Sequence, residues 1–277
     1  MSADLYCVMG NPVEHSKSPW IHARFAQLTS QHLRYEKRLV ALDGFAQAVR
    51  AFRAEGGKGC NVTVPFKFEA PPLATRRSAR AELAQACNTL RFDGPDVFAD
   101  NTDGMGLVDD IVNNAGVDLA GHDILLIGAG GAAAGVLGPL IQAGPRRIVV
   151  ANRTQPKAQR LIERHSSLAR AEAVELSAPT LGRVRGAFDV VINATATSMS
   201  GAAVPVPPSV LKPGALAYDM MYGPAAQGFV DWAMAHGAVA RDGLGMLVEQ
   251  AAEAFLIWRG VRPPSAQVLA ELRATMA

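Results

Sequence analysis

The chain has 277 residues, 49% of them hydrophobic and 19% charged, with a formal charge of +2. That length sits at the upper edge of a single core and predicts two domains. The near-balanced charge gives no case for a nucleic-acid or membrane partner, and the lack of low-complexity tracts or internal repeats argues against disorder and solenoids.

The opening MSADLYCVMG has no basic stretch followed by an apolar run, which argues against export and for a cytoplasmic protein. DLYCVMG reads as a strand. GNPVEHSKSPWIH follows, with Ser16 and Ser18 ahead of an amphipathic segment. Two readings stand here. Ser18 before Pro19 suits a helix N-cap, or both hydroxyls face an anionic group brought by a ligand.

YEKRLVAL, GCNVTV and NTLRF read as further strands, with PWIHARFAQL and GFAQAVRAFRAE as helices between them. This alternation implies βαβ units with parallel strands. The basic cluster Arg76, Arg77 and Arg80 reads as a solvated helix face or loop. GMGLVDDIVNNAG reads as a connecting helix ending at Gly116.

A second α/β pattern starts near Gly121. HDILLI, RRIVVA, FDVVINAT and ALAYDM are strand-like; GAGGAAAGVLGPLIQAG, QPKAQRLIERH and GFVDWAMAHG are helical. The stretch from Ile124 to Leu140 is nearly all apolar, but its glycines and Pro139 favour strand, turn and helix over a membrane span. In DGLGMLVEQAAEAFLIWRG the apolar stripe Leu247, Ala251, Ala254, Phe255 and Trp258 must cover something. A return onto the first domain is expected, which makes that domain discontinuous.

Gly128, Gly130 and Ala133 occupy G-x-G-x-x-G/A positions directly after a strand and before a small-residue helix. Small residues let the backbone approach a pyrophosphate, whose charge meets helix N-terminal amides. The next strand ends at Asn152-Arg153-Thr154, with Lys157 beyond. An NAD site wants a carboxylate there, whereas an arginine fork matches a 2′-phosphate; NADP is the expected cofactor.

A nicotinamide cofactor makes hydride transfer the default reaction, and an alcohol that loses hydride also surrenders a proton. Two polar islands hold candidates: Asn61, Thr63 and Lys67 in NVTVPFK, and Asn88, Thr89, Asn101 and Asp103 in NTL…DNTDG. By itself each could be ordinary, Lys67 a surface lysine and Asp103 a capping residue. Cys7, Cys60 and Cys87 lack CxxC spacing and read as reduced core residues. The six histidines form no HExxH or CxxC/HxxxH pattern, and no metal site is expected.

Taken together, GNPVEHSKSPWIH, GGKGCNVTVPFK, ACNTL, DNTDGMGL, LLIGAGGAA, NRT, NAT and DGLGMLVEQAA closely resemble the shikimate dehydrogenases, in order and spacing, through essentially the whole chain. The resemblance implies two α/β domains: a substrate-binding catalytic domain with a mainly parallel sheet, 1–103 plus 240–277, and a Rossmann-type NADP-binding domain, 104–239. It implies reversible NADPH-dependent reduction of 3-dehydroshikimate to shikimate, in aromatic amino-acid biosynthesis. Lys67 and Asp103 become the catalytic pair, and Ser16 and Ser18 hold the substrate carboxylate with Tyr222 nearby. Asn61, Thr63, Asn88 and Gln250 become partners of the ring hydroxyls. The cofactor falls to Gly128, Ala129, Gly130, Gly131, Ala132, Asn152, Arg153, Thr154, Lys157, Thr195, Met220 and Gly243. Whether the chain is a monomer or homodimer is left open.

Some positions depart from the family pattern. Ala134 replaces a common arginine, so NADP selectivity rests on Arg153 and Lys157. Cys87 stands where valine is usual, the segment after Lys67 lacks the acidic residues expected there, and Ser198 stands where glycine is frequent. Two alternatives stay open, a quinate or quinate/shikimate dehydrogenase paralogue and a non-catalytic NADP(H)-binding sensor.

Overall fold

The computed structural model describes residues 3–195 and 203–276. It divides the chain into two compact units, Met1–Gly106 with Val248–Ala277, and Leu107–Leu247.

In chain order, the first unit holds strand β1 (Asp4–Gly10), helix α1 (Ser18–Leu28), β2 (Leu33–Leu39), α2 (Phe45–Ala54) and β3 (Gly57–Val62). A short β4 (Arg76–Arg77), α3 (Ala79–Ala84), β5 (Thr89–Asp93) and β6 (Asp96–Asp100) follow, and α4 (Asp103–Asp109) leads into the second unit. That unit contains β7 (Asp123–Ile127), α5 (Gly131–Gln142), β8 (Arg147–Ala151), α6 (Gln155–Ala171), β9 (Glu175–Ser177), β10 (Phe188–Asn193), β11 (Leu211–Asp219), α7 (Gln227–Ala235) and β12 (Val239–Arg241). Helices α8 (Leu244–Arg259) and α9 (Ser265–Met276) end the chain.

The first sheet runs β2-β1-β3-β5-β6-β4. Strand alternation sends successive residues of β1 to opposite faces, so each face carries its own core. Cys7 and Met9 pack with Phe45, Val49 and Phe52 of α2, spaced to share one helical face. Tyr6 and Val8 pack with Tyr35 and with Ala254 and Trp258 of α8. The apolar stripe of α8 therefore lies on this unit. All three cysteines are free and buried, and burial pushes the Cys87 thiol up to about 12.

The sequence alternation implied parallel βαβ units and the resemblance a mainly parallel sheet; the strand that breaks the parallel pattern is β5. β1 pairs parallel with β2 and β3, but β5 runs antiparallel to both β3 and β6. Asp93 opposes Asp96 across the two-residue turn Gly94–Pro95, with Gly94 at φ 59°. Glycine accepts that left-handed backbone without steric cost, so the chain reverses on itself instead of crossing over through a helix. β6, DVFAD, is too short and polar-ended to announce itself as a strand.

The second sheet is parallel throughout, ordered β12-β11-β10-β7-β8-β9. Counted from β7, this is the doubly wound order 3-2-1-4-5-6, whose topological switch point lies between β7 and β10. β7 is buried along its whole length, as expected for a strand covered on both faces. The connecting helix has close to the extent its sequence suggested, running from Asp103 to Asn114. α4 passes into a wider helical turn at Asp110–Asn114, and Gly116 follows at φ 68°.

Among the described residues, no helix is long and apolar enough to cross a membrane. Ser198 lies outside the described residues.

Candidate active site

In the first unit the candidate residues gather at one edge of the sheet. β1 and β3 end there, leading to Ser16 and to Thr63 and Lys67. β6 ends there too, leading to Asp103, while antiparallel β5 starts there, just after Asn88. The antiparallel insertion thus brings the second polar island beside the first.

Lys67 lies on a single 3-10 turn, Phe66–Phe68, whose Phe66 is fully buried and stacks on Phe45. Its Nζ donates to Asp103 Oδ2 at 2.6 Å. The lysine side chain is 17% exposed and the carboxylate 5%, so the pair is shielded but reachable. The other oxygen, Oδ1, accepts from Asn88 Nδ2 at 2.8 Å. Asn88 Nδ2 also reaches Thr102 Oγ1 at 2.9 Å and Gln250 Oε1 at 3.2 Å. Asn88 Oδ1 accepts from the Thr102 amide at 2.8 Å and Thr89 Oγ1 at 2.9 Å. A neutral carboxamide thereby orients a buried carboxylate, and cooperative networks of this kind hold a single geometry.

Asn61 extends the network. Its Nδ2 donates to the Asn88 carbonyl at 3.2 Å and to Thr89 Oγ1 at 3.1 Å, and its Oδ1 accepts from the Tyr35 hydroxyl at 2.7 Å. Burial holds the Tyr35 phenol well above its usual range, so it stays a donor. With both amide protons used, Asn61 has one lone pair left to offer a ligand. Thr63 is half-buried, and its methyl group fills the space that a Cβ on Gly10 would need.

Ser18 is not the N-cap its Ser-Pro context suggested. The cap position falls on Lys17, without a side-chain capping bond, and Ser18 is the first helical residue. Pro19 is tolerated one place further in, because the first turn's amides have no intrahelical acceptor. Ser16 Oγ accepts from the Ser18 amide at 3.3 Å, and Ser18 itself is buried. The hydroxyl of Ser18 is thus not committed to capping.

The remaining candidates belong to the second unit, at the carboxyl ends of its strands. Gly128 has φ 115°, and a Cβ there would press on the Ala194 carbonyl and the Thr195 methyl; only glycine fits the turn at the switch point. Thr195 is held by its amide and hydroxyl, which donate to Asn193 Oδ1 at 3.1 and 2.7 Å. Gly130 caps α5 with open space on its Cβ side, and no side chain caps the helix amides of Gly131, Ala132 and the residues after them. With Ala129 they form a cradle that suits a pyrophosphate. Ala134 is buried in α5.

At the end of β8, Asn152 Nδ2 donates to the Thr154 carbonyl at 2.9 Å. Arg153, Thr154 and Lys157 are exposed, and neither cation has an ion-pair partner among the described residues. Gly243 lies against the Met220 backbone too closely for any side chain, and its amide donates to the Met221 carbonyl at 2.8 Å. Tyr222 is half-buried, and burial raises its phenol above the usual value.

Two contributors went unrecognised in the sequence. Thr102 sits inside the DNTDG island, and its amide and hydroxyl both serve Asn88. Tyr35 lies within the YEKRLVAL strand segment, and nothing in the sequence signals its 2.7 Å bond to Asn61.

A doubly wound parallel sheet with a glycine turn at its switch point defines a Rossmann-type dinucleotide unit, joined in one chain to an α/β unit carrying a lysine–aspartate pair. Models of known families match three stretches: the shikimate dehydrogenase substrate binding domain over 8–90, shikimate / quinate 5-dehydrogenase over 110–200, and the shikimate 5′-dehydrogenase C-terminal domain over 243–273. The chain belongs to the shikimate dehydrogenase family. It is 69% identical to the shikimate dehydrogenase (NADP(+)) of Acidovorax ebreus (strain TPSY), covering 100% of this chain and 98% of that one. Among solved structures it resembles an Ael1 enzyme from Pseudomonas putida, with 45% identity, a TM-score of 0.87 and 98% of each chain covered. It also resembles shikimate 5-dehydrogenase from Thermus thermophilus in complex with NADP(H) and shikimate, with 28% identity, a TM-score of 0.85, and 98% and 99% of the two chains covered.

Proposed function

We propose that this chain is an NADP-dependent shikimate dehydrogenase, reversibly reducing 3-dehydroshikimate to shikimate in aromatic amino-acid biosynthesis, in the cytoplasm. The observation that carries the reading is the shielded Lys67–Asp103 pair at 2.6 Å, in a chain 69% identical to an enzyme of that name. The residues 1–106 with 248–277 form the substrate unit in this reading, and 107–247 the cofactor unit.

NADPH, when bound, supplies the hydride. Lys67 and Asp103 flank the reacting oxygen. The Lys67 ammonium donates a hydrogen bond to the oxygen as charge develops on it in the direction of reduction, and the pair relays the proton that oxygen gains or loses. Asn88 keeps Asp103 aimed. Ser16 and Ser18 donate to the substrate carboxylate, with Tyr222 assisting, and Thr63, Gln250, Asn88 and the free lone pair of Asn61 meet the ring hydroxyls. A site built from such groups rejects analogues that leave them unpaired. Gly128 to Ala132 receive the pyrophosphate, and Thr195, Met220 and Gly243 border the nicotinamide. Asn152, Arg153, Thr154 and Lys157 take the ribose phosphate, because two unpaired cations and no acid suit a dianion.

Initial rates with shikimate and quinate, each against NADP and NAD, test the proposal. Shikimate with NADP should give the highest kcat/KM. Quinate with NAD in first place would overturn it, and no turnover with any pair would leave a binding protein.

A further inference from the structure

Arg80 comes from a basic cluster that read as a solvated surface, and the structure corrects that reading. Its guanidinium grips a buried carboxylate through two bonds, Nε to Asp100 Oδ1 at 2.7 Å and Nη2 to Asp100 Oδ2 at 2.8 Å. Nη2 also reaches Glu253 Oε1 on α8 at 2.9 Å. Asp100 is 4% exposed, and Oδ1 further accepts from Ser78 Oγ at 2.5 Å and the Asn101 amide at 2.7 Å.

Each end of this clamp leads to the site. Asp100 starts the turn that carries Asp103: the Asn101 amide is held by Asp100, and the Asp103 amide donates to Asn101 Oδ1 at 3.1 Å. The Asp100 carbonyl accepts from the Asn88 amide at 3.1 Å. Glu253 lies three residues beyond Gln250 on the same helix, and Gln250 accepts from Asn88. Arg262 steadies Glu253 from its other side at 2.7 Å. One guanidinium therefore spans the Asp103 turn and the Gln250 turn of α8.

We propose that Arg80 is a positioning residue for the reaction, holding Asp100 and Glu253 so that Asp103 stays aimed at Lys67 and Gln250 at Asn88. The inference rests on the dehydrogenase reading above. A planar fork grips Asp100 through two parallel bonds while still reaching Glu253, whereas an ammonium, as a point charge, cannot reproduce that bidentate grip. Without it, a buried carboxylate loses its counter-charge and the turn its register, and displacements near 1 Å at reacting groups cost on the order of 10²-fold in rate.

The test compares Arg80→Met, Arg80→Lys, Asp100→Asn and the double variant Arg80→Met/Asp100→Asn. The readouts are kcat, both KM values, the isotope effect with shikimate deuterated at the carbon that gives up hydride, and the crystal structure of Arg80→Met. Expected are a kcat loss of about 10- to 100-fold, a raised KM for shikimate, an unchanged KM for NADP and a larger isotope effect. Arg80→Lys should restore little, and the double variant should be no worse than the poorer single one. Loss of folded protein alone lowers the apparent kcat but leaves KM and the isotope effect at their wild-type values; that pattern, or an intact Lys67–Asp103 contact in the variant crystal, overturns the proposal. If Arg80→Met does not fold, Arg80→Lys carries the same kinetic and crystallographic test. Failure of the wild type to oxidise shikimate overturns the dehydrogenase reading instead, and the Lys67–Asp103 separation in the variant crystal then decides the inference alone.

Discussion

Lys67 and Asp103 stand 36 residues apart in the chain and 2.6 Å apart in space. Each is delivered by a segment leaving the same sheet edge, one after β3 and the other after β6. Lys67→Ala should lower kcat by about 10²- to 10⁴-fold, the range for loss of a positioned proton-transfer group, with a much smaller change in the KM for shikimate. Steady-state kinetics on a variant with a wild-type circular dichroism spectrum decide the matter; unchanged turnover excludes the catalytic role.

Asn88 is buried and bridges Asp103, Thr102 and Gln250. Its removal leaves a buried carboxylate oxygen and two hydroxyls with fewer partners, and each such loss costs about 1–3 kcal/mol. Asn88→Ala should therefore lower the denaturation midpoint as well as kcat. Retention of full stability with lost activity would show that the network serves catalysis without supporting the fold.

His22 has both ring nitrogens without a hydrogen-bond partner, 4.3 Å from the Tyr35 ring and among Phe25, Phe255 and Trp258. Burial pulls its pKa down to about 3. The unfolded chain takes up this proton near pH 6.5 and the folded chain does not, so the contribution to stability is complete above that value. It is lost as pH falls from about 6.5 toward 3, at roughly 1.4 kcal/mol per pH unit. Thermal melts of wild type and His22→Phe between pH 7 and pH 4.5 should diverge, the variant losing less stability. Parallel curves would sink the idea.

Arg153 and Lys157 are exposed without acidic partners among the described residues, so their charge is available to a ligand. The double variant Arg153→Ala/Lys157→Ala should raise the KM for NADP about tenfold or more and leave that for NAD nearly unchanged. Because these contacts are solvent-facing, the wild-type preference should weaken as salt is raised.

Elements with strong local signals were legible in the chain alone. The longer apolar strands of both units, the glycine turn after β7 and the cation-bearing end of β8 follow from periodicity and backbone sterics, which act within a few residues; the short strands β4, β6, β9 and β12 carry no such signal. The family resemblance rested on motifs of the same local kind. What lies between distant segments came from packing in three dimensions. The turn at Gly94–Pro95 reverses β5 and β6 within a sheet whose neighbours run parallel, and that reversal sets Asn88 and Asp103 beside Lys67. Arg80 looked like surface because charge alone says nothing of burial; only the fold supplies Asp100 and Glu253 to receive it. Ser18 likewise looked like a cap, yet the helix starts one residue earlier, because where a helix begins depends on how the loop before it packs.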